Sequence, residues 1–222
     1  DFARKDRPPC LRYPFGTDWL GRDMLARSLA GLSMSIRLGL CTAGIGALLA
    51  LALGSGAALL GKRVDACISF VIDAVLGIPH ILLLILISYA CGKGFKGVVL
   101  GVSLTHWPAL ARLIRAEVLQ LRESEYVLAA GKLGAGKMRI ALRHLLPHLL
   151  PQFAVGLILM FPHAVLHEAG ITFLGFGLPP EQPAIGIILS ESMRYLITGK
   201  WWLALFPGLM LISVVALFDV AG

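Results

Sequence analysis

The chain has 222 residues, of which 57% are apolar and 15% charged, with a formal net charge of +7 at pH 7. Soluble domains run at roughly 45–50% apolar and about 25% charged, so the composition excludes a soluble globular domain and indicates an all-α, polytopic membrane helical bundle. The basic excess lies between apolar runs and not along a face interleaved with aromatics. It therefore reads as membrane topology, and no nucleic-acid partner is expected.

A helix needs about 20 apolar residues to cross the hydrocarbon core. Five candidate spans follow in chain order, at 35–60, 67–91, 97–114, 148–174 and 202–220. Residues 1–34 form a segment ahead of them, and 35–222 form the transmembrane domain, interrupted by a polar insert at 115–147. The first span carries one charge, Arg37, near enough to its end to snorkel. Ala43, Ala47, Ala50, Gly54 and Ala58 recur along it, a small-residue spacing that lets helix backbones approach closely in lipid. In the third span, Thr105, His106 and Arg112 are polar, and Pro108 is expected to kink the helix.

Orientation follows from Lys and Arg in the short loops. Lys62 and Arg63 lie near Gly61, and Arg115, Arg122, Lys132, Lys137, Arg139 and Arg143 lie in the insert. The loop at 175–201 has Arg194 and Lys200 against Glu181 and Glu191. The Gly61 loop and the insert are thus expected in the cytoplasm, and 175–201 outside. The segment 1–34 is then extracytoplasmic despite Arg4, Lys5, Arg7 and Arg12, and a start on that side calls for a further span upstream.

Two nucleotide-site look-alikes fail on context. Gly56-Ala-Ala-Leu-Leu-Gly-Lys62 continues with Arg63 in place of Ser or Thr, and it closes an apolar helix with no preceding strand. Gly92-Lys-Gly-Phe-Lys-Gly97 is a short link between spans, outside any βαβ unit. No ATP site, and no cofactor, is expected in this chain. Cys10, Cys41, Cys67 and Cys91 show neither C-x-x-C pairing nor metal-ligand spacing.

In the insert, Glu117, Glu123 and Glu125 come early and Lys132 late, an order that complements the helix dipole. Ser124 is the expected N-cap of a short helix through Tyr126-Val-Leu-Ala-Ala130. Gly134 and Gly136 are expected to end it. A second helical segment should run from near Lys137 towards Pro147. Two short helices joined by a glycine turn make a surface that can dock on a partner in water.

The same residues resemble the cytoplasmic "EAA" loop of permease subunits in binding-protein-dependent ABC importers. That signature runs E-A-A-x-x-x-G, nine residues, then I-x-L-P. Ala129, Ala130, Gly134, Leu146 and Pro147 match it in register, with Leu128 at the Glu position and His144 at the Ile position. Glu125-Tyr-Val127 and Arg143-His-Leu-Leu-Pro147 resemble the peptide and nickel branch. So do Phe15-Gly-Thr-Asp-Trp-Leu-Gly-Arg-Asp23 and Ala169-Gly-Ile-Thr-Phe-Leu-Gly-Phe-Gly177. The resemblance implies a type I ABC importer permease fold of six spans, five of them visible here, in a bacterial inner membrane. It implies a homologous second permease subunit, two ATPase subunits that bind ATP and Mg²⁺, and an extracytoplasmic solute-binding protein. Glu125, Ala129, Ala130, Gly134, Leu146 and Pro147 would form the contact with an ATPase.

For the cargo, His163, His167 and Glu168 stand within the fourth candidate span. The i, i+4 spacing puts both imidazoles on one helix face, and ionisable groups at membrane depth are functional candidates. Imidazole suits Ni²⁺ and other late first-row ions, so these residues form a possible substrate or metal path. Hydrogen bonding of the histidines to neighbouring helices, with Glu168 paired to an Arg or exposed near the outer interface, is the structural alternative. The nickel members of the family are similar in carrying His-x-x-x-His before A-G-x-x-F-L-G. Nickel, as ion or chelate, and short peptides are thus the expected cargoes. A stand-alone ion-coupled transporter would instead use Asp73, Glu168 and the histidines as relays. His80, after Pro79, is a further polar residue in the second span.

Overall fold

The computed structural model describes residues 4–221, and α-helix dominates them. The long elements are α1 (Met24–Leu59), α2 (Lys62–Gly77), α3 (His80–Ala90) and α4 (Gly94–Arg122). The insert follows as α5 (Glu125–Lys132) and α6 (Lys137–Ile140). A π-helical turn at Ala141–Leu145 leads into α7 (Leu146–Phe173), and α8 (Ile185–Leu196) and α9 (Trp202–Ala221) complete the chain. Four of these helices are long and apolar enough to cross a bilayer, and α2 with α3 makes a fifth if the bent pair is one span.

Three features differ from the sequence expectation, the first being that α4 continues to Arg122, into the stretch 115–147 expected as the insert. The stretch 67–91 is not a straight span: α2 and α3 meet at 101°. Pro79 disfavours a helical residue before it, and Ile78 is accordingly extended, with ψ 138°. The first helix begins at Met24 instead of 35, capped by Asp23, whose carboxylate accepts from the Leu25 N–H at 2.9 Å. Its 36 residues measure about 54 Å at 1.5 Å per residue, so a bilayer core of about 30 Å covers only the apolar part. Pro108 lies inside α4, which stays one helix throughout.

The core sits where α1, α4 and α7 pack on one another. Ala43, Ala47, Ala50, Gly54 and Ala58 are all buried, as close packing in lipid demands. At Gly54 a Cβ would press on the Ala111 carbonyl of α4 and stand 3.1 Å from the Ile114 Cβ. Two ion pairs strap α2 to α4: Arg115 forks onto both carboxylate oxygens of Asp65, and Arg112 donates to Asp73 at 2.6 Å.

At one end of the bundle, residues 4–23 fold over α8 and α9. Asp18 is their hub. Fully buried, it accepts backbone N–H bonds from Leu20 and Arg22 at 2.9 Å and the Arg22 guanidinium at 2.6 Å. Arg27 also reaches it and donates to Glu191 of α8. Phe15 stacks on Phe206 and Trp19 on Tyr195, each at 4.5 Å. The α3–α4 turn closes the same end, where the Gly94 N–H donates to the Gly177 carbonyl at 3.1 Å. The Gly61 turn and the insert lie together at the opposite end. Cys10, Cys41, Cys67 and Cys91 are free and exposed.

Candidate functional site

The insert folds as two short helices around a glycine joint. At the end of α5 the Gly134 N–H donates to Gly131 and the Ala135 N–H to Ala130, at 3.1 and 3.0 Å. This is a Schellman closure, which needs a left-handed residue. Gly134 supplies it at φ 85°, whereas Gly136 does not take a positive φ. Ser124 precedes α5 in extended geometry, but its hydroxyl donates back to the Leu121 carbonyl at 2.6 Å and does not cap α5. The hydroxyl therefore closes the end of α4.

Several contacts hold this pair against the bundle. Arg122 donates to the Ala58 carbonyl at the end of α1, and Val127 is buried in the core. Tyr126 stacks on His148 with ring centroids 5.5 Å apart and leans on His144 at 6.1 Å. The aromatic contact gives a structural use to His144, which departs from the signature. Pro147 has no N–H to offer the Arg143 carbonyl, and the helix widens to its π-helical turn immediately before it. Glu125, Ala129, Gly134 and Pro147 are exposed, and Ala130 and Leu146 are half-buried. Around them, Tyr126, Leu128, Leu133, Met138 and Leu142 expose large apolar side chains, Leu133 by 88%. A patch of this kind is unusual on a segment that is otherwise polar.

A second constellation lies mid-bundle. His80 opens α3 at the bend, His106 stands on α4, and His163 and His167 on α7. The rings of His80, His106 and His167 pack edge to face, with centroids 4.5 to 4.9 Å apart. All four histidines line a cavity of about 430 Å³, walled also by Leu76, Leu113 and Met160. Glu168 does not line it. This carboxyl is fully buried, not exposed, and accepts the Thr172 hydroxyl at 3.0 Å, with no ion pair to an Arg among the described residues. His163 and His167 are thus brought together with His80 and His106, and Glu168 is set apart from them. His106 had no spacing signal in the sequence, since 61 residues separate it from His167. Its only mark was a polar residue amid an apolar run.

The cavity, mostly apolar apart from its histidines and Thr105, adjoins a charged pair. Asp73 precedes Leu76 by less than one turn, and Arg112 adjoins Leu113. Both charged side chains are more than half exposed. Lipid would penalise them. The exposed apolar rows of α1 (Leu40, Ile45, Leu48) and α9 (Leu205, Leu209, Ile212) suit lipid instead.

Helices long and apolar enough to cross a membrane, a histidine-bearing cavity between them and an exposed apolar helix pair at one end are features of a membrane transport subunit. The chain belongs to the family described as binding-protein-dependent transport system inner membrane component, whose profile matches residues 46–222. It is therefore a multi-pass inner-membrane protein of ABC importers. It is 40% identical over 212 residues to a putative peptide transport system permease protein of Brucella suis biovar 1, covering 95% of this chain and 71% of that one. It is 32% identical over 220 residues to the dipeptide transport system permease protein of Bacillus subtilis, covering 99% and 69%. The oligopeptide permease protein of the same organism is 32% identical over 217 residues, covering 98% and 71%. Among solved structures, an inward-facing methionine ABC transporter shares the fold at TM-score 0.74 and 17% identity, over 89% of this chain and 94% of that one. These likenesses place the chain in the peptide branch and give it the type I importer permease fold.

Proposed function

We propose that this chain carries short peptides across the inner membrane as one of two homologous permease subunits. Two ATPase subunits drive it, and ATP with Mg²⁺ binds in them. The observation that carries this reading is the exposed apolar surface on the Gly134-jointed pair, a patch with no purpose in a solvated loop. The names of the relatives support the cargo. Nickel, as ion or chelate, is the second reading, favoured by the imidazoles at membrane depth.

The connectivity supports a transmission. The pair sits between α4 and α7, with only Glu123 and Ser124 between α4 and α5. A push on α5 therefore moves α4, and the π-helical turn passes it to α7. His106 lies 16 residues from Arg122 along α4, about 24 Å at 1.5 Å per residue. One rigid lever thus links the docking surface to the cavity, as alternating access by rigid-body motion requires. Glu125, Ala129, Ala130, Gly134, Leu146 and Pro147 make or shape the ATPase contact. A solute-binding protein delivers cargo at the opposite end, where residues 4–23 and α8 form the surface.

The test uses the chain co-expressed with its partners and reconstituted in liposomes. Gly134→Val forces a β-branched residue to a left-handed φ, costing roughly 1–2 kcal/mol, which corresponds to about a tenfold change. The expected outcome is an assembled complex that hydrolyses ATP while di- and tripeptide uptake drops about tenfold. Wild-type uptake in that variant, or a complex that never retains an ATPase, overturns the reading.

A further inference from the structure

We propose that His80, His106 and His167 form a binding site for one divalent ion of the late first-row transition series, with its open side facing the cavity. The three residues come from three helices, and one ligand nitrogen from each lies within 4.8 Å of the other two. Three imidazoles and no carboxylate is a borderline-soft donor set, which selects Ni²⁺, Cu²⁺ or Zn²⁺ over Mg²⁺ or Ca²⁺.

The hydrogen bonds around the rings prepare them for this. His106 Nδ1 lies 2.8 Å from the Val102 carbonyl, and His167 Nδ1 lies 2.7 Å from the His163 carbonyl. A carbonyl oxygen only accepts, so each Nδ1 carries the proton and each Nε2 keeps a lone pair, that of His106 facing the His167 Nδ1–H at 3.3 Å, a partner that a metal ion would replace. A backbone carbonyl behind a histidine is the arrangement that fixes tautomer and ring orientation in metal sites. His163 has the same bond, from Nδ1 to the Leu159 carbonyl at 2.9 Å, and stands at the exposed rim as a residue met on entry.

The independent observation is His80. Its Nε2 is buried and has no hydrogen-bond partner. A buried polar atom left unsatisfied costs free energy, and in an apolar bundle a leucine would fill this space without that cost. A metal ion supplies the missing partner. Metal–nitrogen bonds of about 2.0–2.1 Å require the three nitrogens to draw together by on the order of an ångström. His80 is placed to give that movement, because it follows the Pro79 break instead of lying within a rigid turn.

Three protein ligands with an open side is the pattern of an exchangeable site, not a sealed structural one. The remaining positions point to the cavity of about 430 Å³, where water or the amine and carboxylate of a small chelator can complete the sphere. Occupancy would also bridge α3, α4 and α7, and α4 and α7 are the helices that emerge from the docking pair. The site depends on the transport reading for its access from water, but not for its ligands.

The experiment titrates the whole importer in lipid nanodiscs with Co²⁺, whose visible absorption reports histidine coordination, and then with Ni²⁺ and Zn²⁺ in competition. The expected result is one saturable site per copy of this chain. Affinity should fall by at least about tenfold, the scale seen when even supporting groups of a metal site are lost, in each of His80→Ala, His106→Ala and His167→Ala. His106→Gln keeps a polar side chain of similar length and guards against loss through misfolding. Wild-type complex that shows no cobalt band, or three variants that bind as wild type, overturns the proposal. Peptide uptake measured on the same preparations separates the two readings. Metal binding without uptake leaves the site standing and removes the peptide cargo, and uptake without metal binding does the reverse.

Discussion

Asp18 shows how much one buried carboxylate can organise. Its oxygens take two backbone N–H groups and two guanidinium groups, so the loop 4–23 has a charged centre where a small segment could hold no apolar core. Removing one partner of a buried pair leaves the others uncompensated. Asp18→Ala is expected to lower stability by about 3 kcal/mol. Limited proteolysis should then cut within the segment 4–23 before the helices, and an unchanged cleavage pattern would contradict the hub role. The sequence displayed this motif through its density of Gly, Asp and Arg. Nothing in it distinguished Asp18, which is buried, from Asp23, which caps a helix, because both are aspartates beside a glycine-rich turn. The histidines teach the same lesson. His163 and His167 announced themselves by i, i+4 spacing, whereas His80 and His106 reach them only through the packing of three helices.

Among the elements, α1 and α4 were the more legible. Small residues at Ala43, Ala47, Ala50, Gly54 and Ala58 recur on one face because only they allow the backbone of α4 so close. Gly54→Leu would drive a side chain into the Ala111 carbonyl, and overpacking of this kind costs roughly 1–3 kcal/mol. Thermal unfolding of the purified complex in detergent should show the loss. The same substitution at Gly44, where a Cβ meets nothing within 4 Å, should leave the transition within error. The bend in the second candidate span was hidden for a physical reason. Apolar periodicity measures lipid compatibility, not straightness, so 67–91 looked continuous although Gly77-Ile-Pro79 carried the break. The insert was read better, because Gly134 sits where a helix end needs a left-handed residue. Its serine was not, since the hydroxyl found the carbonyl of the preceding helix and not the N–H of the next.

For the whole molecule, the decisive contrast is between two exposed faces. One combines the exposed Asp73–Arg112 pair with the four-histidine cavity, and the other is a continuous apolar row along α1. The hydrocarbon interior tolerates unscreened charge poorly, so the first face should meet water or the second permease subunit, and the second face should meet lipid. Leu113 on the cavity wall and Leu48 on α1 are exposed by 45% and 63%, so accessibility alone would favour Leu48 for labelling. The environment reverses that order. With Cys10, Cys41, Cys67 and Cys91 replaced by alanine, Leu113→Cys should react with a charged, membrane-impermeant thiol reagent in the assembled importer. Leu48→Cys should not. If a vanadate-trapped ATP state also changes the rate at Leu113→Cys, the lever from the docking pair reaches the cavity. Equal reactivity at the two positions would mean that the polar face is not the one turned from lipid, and the transport path would then have to lie elsewhere on the bundle.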